Sequence, residues 1–222
     1  MILSKTKEEQ VADFLREGII SGRFPRGTRL KQQEIATLLN TSITPVREAL
    51  KLLEAEGYVA GDSFKGAVVA PFDIEASSEV LSLRILLETQ LVKGAVENAA
   101  AADIAEMKVL AGEFAEAFTA GDNERARAAN YRFHNRMFEA ARMPQTLHFV
   151  QILWARYPFD LINRLQGRVS RAADEHDDML AAIIAGDTAA AMLATRQHIE
   201  AGWQELRDAL TAEKAAKEAS KR

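Results

Sequence analysis

The sequence predicts a mainly α protein: an N-terminal winged helix-turn-helix followed by a C-terminal antiparallel all-helical bundle. Three observations carry that prediction. Near the start, two short amphipathic stretches, around Ile35 and from Val46 to Leu53, are joined by a tight turn, the size of a helix-turn-helix. Behind them come two β-prone runs, Tyr58-Val59-Ala60 and Ala67-Val68-Val69. From Pro71 to Leu210 the chain is alanine-rich, keeps helical periodicity and lacks strand-like runs.

In chain order, Thr6-Lys7-Glu8-Glu9 reads as a capping box, which satisfies orphan amides at a helix start. Val11, Phe14, Leu15, Gly18 and Ile19 then recur at helical spacing until Gly22 and the Pro25…Gly27 pair make a turn. A second short helix turns Ile35, Leu38 and Leu39 inward. Asn40 to Pro45 runs into a third helix, which Ser42 or Thr44 can cap; proline is tolerated in the first turn, whose amides lack intrahelical partners. Val46, Ala49, Leu50 and Leu53 form its buried stripe and Gly57 ends it. The two β-prone runs, separated by Gly61-Asp62-Ser63-Phe64-Lys65-Gly66, make the wing.

Breaks in the second half fall at Ala101 to Asp103, Ala120 to Asp122, Met143-Pro144, Arg164 to Ser170 and Gly186-Asp187, with Asp103, Asp122 and Asp187 placed as N-caps. That divides it into about six helices with short connections, as in an antiparallel bundle. The Ala-, Lys- and Glu-rich stretch 211–222 reads as a fraying helix end and polar tail. The expected domains are therefore 1–72, 73–210 and the tail 211–222.

Composition narrows the function. Apolar residues make up 48% of the chain and charged residues 27%, enough for two ordinary cores. The absence of cysteine excludes disulfides, thiolate metal sites and cysteine nucleophiles, and fits a cytoplasmic protein. Charge follows Met1-Ile2-Leu3-Ser4 at once, so no signal peptide is expected, and no apolar run is long enough to span a bilayer. Net charge is −4, but residues 1–70 carry 10 Lys+Arg against 9 Asp+Glu while the rest is acidic. A helix-turn-helix needs only a local basic face.

In this motif the second helix enters the major groove with its N-terminal residues toward the bases. Those residues here are Ser42, Ile43, Thr44 and Arg47. Hydroxyls at a helix start suit phosphate and arginine reads guanine bidentately; equally, Ser42 and Thr44 are ordinary caps and Arg47 an ordinary surface residue. Lys65 at the wing tip, with Arg26 and Lys31, supplies candidate phosphate contacts.

The run Ile19-Ile20-Ser21-Gly22-Arg23-Phe24-Pro25-Arg26-Gly27-Thr28-Arg29-Leu30, followed by Ile35-Ala36, Thr44-Pro45-Val46-Arg47-Glu48-Ala49-Leu50, Leu53, Glu56-Gly57 and Tyr58-Val59, resembles the N-terminal signature of GntR-family regulators over residues 7 to 70. The resemblance implies double-stranded operator DNA as partner and DNA contacts at Gln33, Ser42, Thr44, Arg47, Lys65 and Gly66. Ile43 stands where the family usually has arginine; it can touch a thymine methyl but cannot read guanine.

The second half is similar to the FadR-type effector domain of that family, often called FCD. Ser82 to Glu88, Asn130-Tyr131-Arg132-Phe133-His134, Glu175-His176, Ile183 to Asp187 and His198 carry the likeness, over about 74 to 208. It implies a divalent metal (zinc, nickel or manganese) held by His134, His176 and His198, with Asn130 where an aspartate is usual. Asn130 and His134 are four apart, so they share a helix face. A neutral amide donates less than a carboxylate. It also implies a homodimer on a palindromic operator, with repression and activation both open, and a small organic acid as effector bound at Arg84 and Glu88. The plain alternative for Arg84 and Glu88 is an exposed intrahelical pair worth ~0.3–0.5 kcal/mol. His148 has no counterpart and reads as surface or structural, and Trp154, Tyr157 and Trp203 read as packing residues.

The alternative is a helical metal-dependent enzyme with a winged-helix docking module. Di-iron bundles need paired Glu-x-x-His segments, whereas the residues three before His134, His176 and His198 are Tyr131, Ala173 and Thr195. No nucleophile elbow or Gly-rich phosphate loop is present either. No catalytic residue is expected.

Overall fold

In a computed structural model, which describes residues 5–61, 67–71, 77–157, 159 and 168–219, the chain forms a small winged-helix unit and a helical bundle. The first unit comprises α1 (Lys7–Ile20), β1 (Arg29–Leu30), α2 (Gln32–Leu38), α3 (Ile43–Glu56), β2 (Val59–Ala60) and β3 (Ala67–Val69). The capping box at α1 closes in both directions: Thr6 N donates to Glu9 Oε2 at 2.8 Å and Glu9 N to Thr6 Oγ1 at 3.3 Å. Val11, Leu15 and Ile19 of α1 bury against Val46, Ala49, Leu50 and Leu53 of α3. Gly18 is required by close approach, since a Cβ there would stand 2.5 Å from the Phe24 ring. Gly57 ends α3 with a φ of 88°, a left-handed cap that glycine adopts without steric cost.

Three details differ from expectation. Leu38 points to solvent, 57% exposed, while Ile35 and Ala36 fill the core beneath α2. Ser42 occupies the N-cap position of α3, but its hydroxyl makes no cap bond. The sheet has three strands, in the order β1-β3-β2 and antiparallel throughout, because Arg29–Leu30 pairs with Ala67–Val68. The wing tip, with Lys65 and Gly66, lies outside the described residues.

The second unit has six helices among the described residues: α4 (Ser77–Asn98), α5 (Ala101–Thr119), α6 (Asn123–Ala140), α7 (Pro144–Ala155), α8 (Arg168–Ala185) and α9 (Thr188–Ala219). Asp122 and Asp187 cap α6 and α9 as expected, accepting from Arg125 N and Ala190 N at 3.0 Å each. Asp103 does not cap: α5 begins at Ala101, and Asp103, in its first turn, accepts instead from Ala100 N at 2.8 Å. The same carboxylate binds Arg136 and Arg142, tying α5 to α6 and to the turn after it. Helix α9 continues through the stretch expected to fray, as far as Ala219. Part of the expected break at 164–170 lies outside the described residues. α5 packs on α6, α9 on α4 and α8, and α4 on α6 and α7. Among the described residues no helix is long and apolar enough to cross a membrane.

The two units touch along α1 and α6 and along α3 and α7. Buried side chains on both sides form one continuous cluster, from Val11 in α1 to Met179 in α8.

Candidate functional site

The six bundle helices each contribute to one cavity. It is lined by Arg84 and Glu88 from α4, Phe114 from α5, Asn130 and His134 from α6, Trp154 from α7, Arg168 from α8 and His198 from α9, together with Tyr157 and Phe159 in the segment after α7. The cavity has a volume of about 50 Å³. That exceeds the ~10–15 Å³ needed to hold one water.

Three imidazoles converge beside it. A ring nitrogen of each of His134, His176 and His198 lies within 4.8 Å of the others. His134 Nε2 and His176 Nε2 are 3.2 Å apart. Two nitrogens about 2.1 Å from one ion, at angles between octahedral and tetrahedral, stand roughly 3.0–3.4 Å apart. His198 turns Nδ1 to the Glu175 carboxylate at 2.7 Å, which leaves Nε2 as the ligand atom, the carboxylate–histidine arrangement common at metal sites. His176 is wedged between the rings of Phe114 and Phe133, and its buried Nδ1 has no hydrogen-bond partner among the described residues. Asn130, one helical turn before His134, lines the same cavity. The donor set fits a divalent transition metal, since imidazole suits zinc, nickel and manganese.

Electrostatics agree with that set. Burial and the mutual proximity of the rings hold His134 and His176 well below the usual histidine value, and burial outweighs Glu175 to lower His198 as well. All three are neutral at pH 7, the form that binds metal. Burial alone would raise Glu175, but hydrogen bonds from His198 and Arg168 outweigh it and hold its carboxyl at about 2.

The reading of Arg84 and Glu88 as an exposed pair fails. Both are buried, with Nε to Oε1 at 2.6 Å and Nη2 to Oε2 at 3.2 Å. Trp154 Nε1 donates to the same Oε1 at 2.8 Å, and the Arg84 guanidinium lies 4.0 Å from the Tyr157 ring centroid, close enough for a cation–π contact. Trp154 and Tyr157 therefore line the cavity as well as packing, and Trp203 packs against Tyr157 behind it. Sequence reasoning missed Arg168, Glu175's role and both aromatics as cavity groups. Arg168 and Glu175 stand two turns apart on α8, but their shared meeting with His198 on α9 leaves no periodic signal in one sequence.

The helix-turn-helix surface is distributed less uniformly. Gln33, Ser42 and Thr44 are exposed at the start of α2 and α3, and no side chain caps the first-turn amides of α3. Ile43 is half-buried and packs on the core, and Arg47 is half-buried rather than fully on the outer face. Lys31 is exposed and pairs with Glu34 at 2.6 Å. Arg26 is turned away from any phosphate: it donates to the carbonyls of Ala70, Ala155 and Tyr157, each at 3.0 Å. His148 is exposed on α7, as expected.

Residues 7–69 match the family model for bacterial regulatory proteins, gntR family, and residues 79–201 that for the FCD domain. The chain is 29% identical over 184 residues to the HTH-type transcriptional regulator McbR of Escherichia coli, covering 80% of this chain and 82% of that one. It is also 29% identical over 201 residues to the "Probable D-xylose utilization operon transcriptional repressor" of Paenarthrobacter nicotinovorans, covering 88% and 87%. Among solved structures, E. coli McbR/YncC superposes with a TM-score of 0.79 and 25% identity, over 93% of this chain and all of that one.

Proposed function

The chain belongs to the gntR family of bacterial regulatory proteins with an FCD domain, a DNA-binding transcriptional regulator and not an enzyme; from that premise we propose that it is a cytoplasmic repressor of the FadR subfamily whose operator binding is set by a small organic acid. Residues 1–72 read DNA and 73–210 sense the effector. One observation supports this most: a cavity lined by Arg84, Arg168, His134 and His198, with His176 clustered against the two histidines. A divalent metal held by His134, His176 and His198, with Asn130 as a weaker oxygen donor, supplies positive charge for an anion. Arg84 holds the acid's carboxylate through its forked guanidinium, competing with Glu88 for it.

Two winged-helix units of a homodimer bind a palindromic operator, since two-fold protein symmetry matches two-fold DNA. Gln33, Ser42, Thr44 and Arg47 meet the major groove, with Ile43 beside them and Lys65 and Gly66 of the wing on the backbone. The effector acts only through preference for one arrangement; a shift from 1:99 to 99:1 needs ~10⁴-fold preferential binding. Support for repression comes from the repressor named above, at 29% identity.

The test is binding-site selection from a random duplex library with full-length protein. A two-fold symmetric site with half-sites about one helical turn apart supports the proposal. Binding with no sequence preference would return the chain to the docking-module reading.

A further inference from the structure

Four hydrogen bonds join the winged-helix unit to the bundle segments around the cavity. Arg26 donates to the carbonyls of Ala155 and Tyr157, both at 3.0 Å, while also holding Ala70 of its own unit. Tyr58, fully buried behind α3, donates its hydroxyl to Gln151 O on α7 at 2.8 Å, three residues before Trp154. From the bundle side, Arg127 donates to the Ser21 carbonyl at the end of α1. The residues bonded are not peripheral. Tyr157 stacks under Arg84, Trp154 holds Glu88, and Arg127 itself lines the cavity. The same lining includes Ile20, the last residue of α1, 4% exposed and part of the winged-helix unit.

We infer that the cavity is a two-unit site: Ile20 is a size-determining wall of the ligand pocket contributed by the DNA-reading half, and Arg26 latches that wall to Tyr157, so that ligand bulk is sensed by the winged helix within one chain. The inference rests on the proposed effector role of the cavity, but its geometry does not require knowing the ligand. Ile20 offers only aliphatic surface to a cavity that also holds polar groups, so its bulk limits the size of the substituent that fits there. A ligand that pushes against Ile20, or moves Tyr157 in drawing Arg84 from Glu88, strains the Arg26 bonds. The result is a changed seat for α1, on which α3 packs.

The chain has no cysteine, so Ile20→Cys introduces a unique thiol. The probe is a small anionic methanethiosulfonate, with Leu15→Cys as control: Leu15 lies on the same helix, fully buried in the core and away from the cavity. Cys at 20 should react at least tenfold faster than Cys at 15, and the modified protein should bind an operator selected with wild type at least fivefold more weakly than the unmodified variant. Equal reactivity would show that Ile20 does not face the cavity, overturning the inference. Fast reaction with unchanged operator affinity would overturn the latch. Arg26→Met serves independently of how Ile20→Cys folds. Acrylamide quenching of tryptophan fluorescence should at least double as the wall beside Trp154 loosens; unchanged quenching contradicts the latch. Failure of wild type to bind any small acid would sink the effector reading while leaving both measurements meaningful.

Discussion

Metal removal is the perturbation with the most readily worked consequence. His134, His176 and His198 come from α6, α8 and α9, so an ion joining them cross-links three helices. A ligand that binds only the folded state stabilises it by RT ln(1 + [L]/Kd), about 2.7 kcal/mol at a hundredfold excess over Kd. For a chain of this length each kcal/mol moves Tm by about 2–4 °C, so zinc should raise Tm by roughly 5–11 °C over chelated protein. His176→Ala complicates absolute stability, because it vacates the slot between Phe114 and Phe133 and costs on the order of the ~2–5 kcal/mol of a core truncation. The informative quantity is therefore the zinc-induced shift within each protein, by scanning calorimetry at fixed protein and metal concentration. It should collapse to under about 1 °C in His176→Ala. It should persist, with slower loss to a chelator, in Asn130→Asp, which restores an anionic oxygen beside His134. Wild-type Tm identical with and without zinc, nickel and manganese would refute the metal reading. The histidines would then contact an organic anion directly. Burial already holds them neutral, so such binding would strengthen only at pH well below 6.5, whereas metal binding weakens in acid.

Arg47→Ala should cost about 1–3 kcal/mol of operator affinity and relax preference at one base position. Quantitative gel shifts across operator variants check this, and unchanged preference in a folded protein would assign Arg47 to packing. Operator affinity should fall with salt at a slope of about −0.9 per phosphate neutralised, and Arg26→Met should leave that slope unchanged because Arg26 faces the bundle. A slope reduced by about one in Arg26→Met would place that guanidinium on DNA. Stability in acid should respond to Asp103. Burial alone would raise its pKa, but the Ala100 amide, Arg136 and Arg142 hold it below its ordinary 3.8. With the folded value depressed, its contribution is complete above the unfolded pKa and is lost as pH falls from about 4 through the folded value. Denaturant titrations between pH 5 and 2 should show Asp103→Asn losing less stability in that window than wild type; parallel pH profiles would discount the network.

Much of this architecture was legible because local rules and packing agree. The Thr6 box, the Asp122 and Asp187 caps, the Val46-to-Leu53 stripe and Gly57 each act within one turn of their own residue, so sequence spacing suffices. Leu38 misled because a leucine at helical spacing looks buried, yet a seven-residue helix has a narrow inner face that Ile35 and Ala36 already fill. Asp103 misled by one turn, since a first-turn acid and a cap have the same composition. Strand β1 is two residues long and exists only through its pairing with β3. In the site, His134 and Asn130 were visible as an i, i+4 pair, but their meeting with His176 and His198 is tertiary and came from family likeness. The lines from Arg168 to His198, from Trp154 to Glu88, and from Arg26 to Tyr157 span between 30 and 131 residues, beyond any local pattern.

Linkage between the cavity and DNA is the most direct test of the account. Fluorescence anisotropy with a labelled, selected operator would measure Kd for zinc-loaded wild type and for Arg84→Met, each with and without a panel of compact carboxylates: acetate, lactate, malonate and succinate. At least one acid should shift the wild-type Kd tenfold or more and leave the Arg84→Met complex unmoved. Operator affinity that ignores every acid, and that neither zinc chelation nor Arg84→Met alters, would contradict the account.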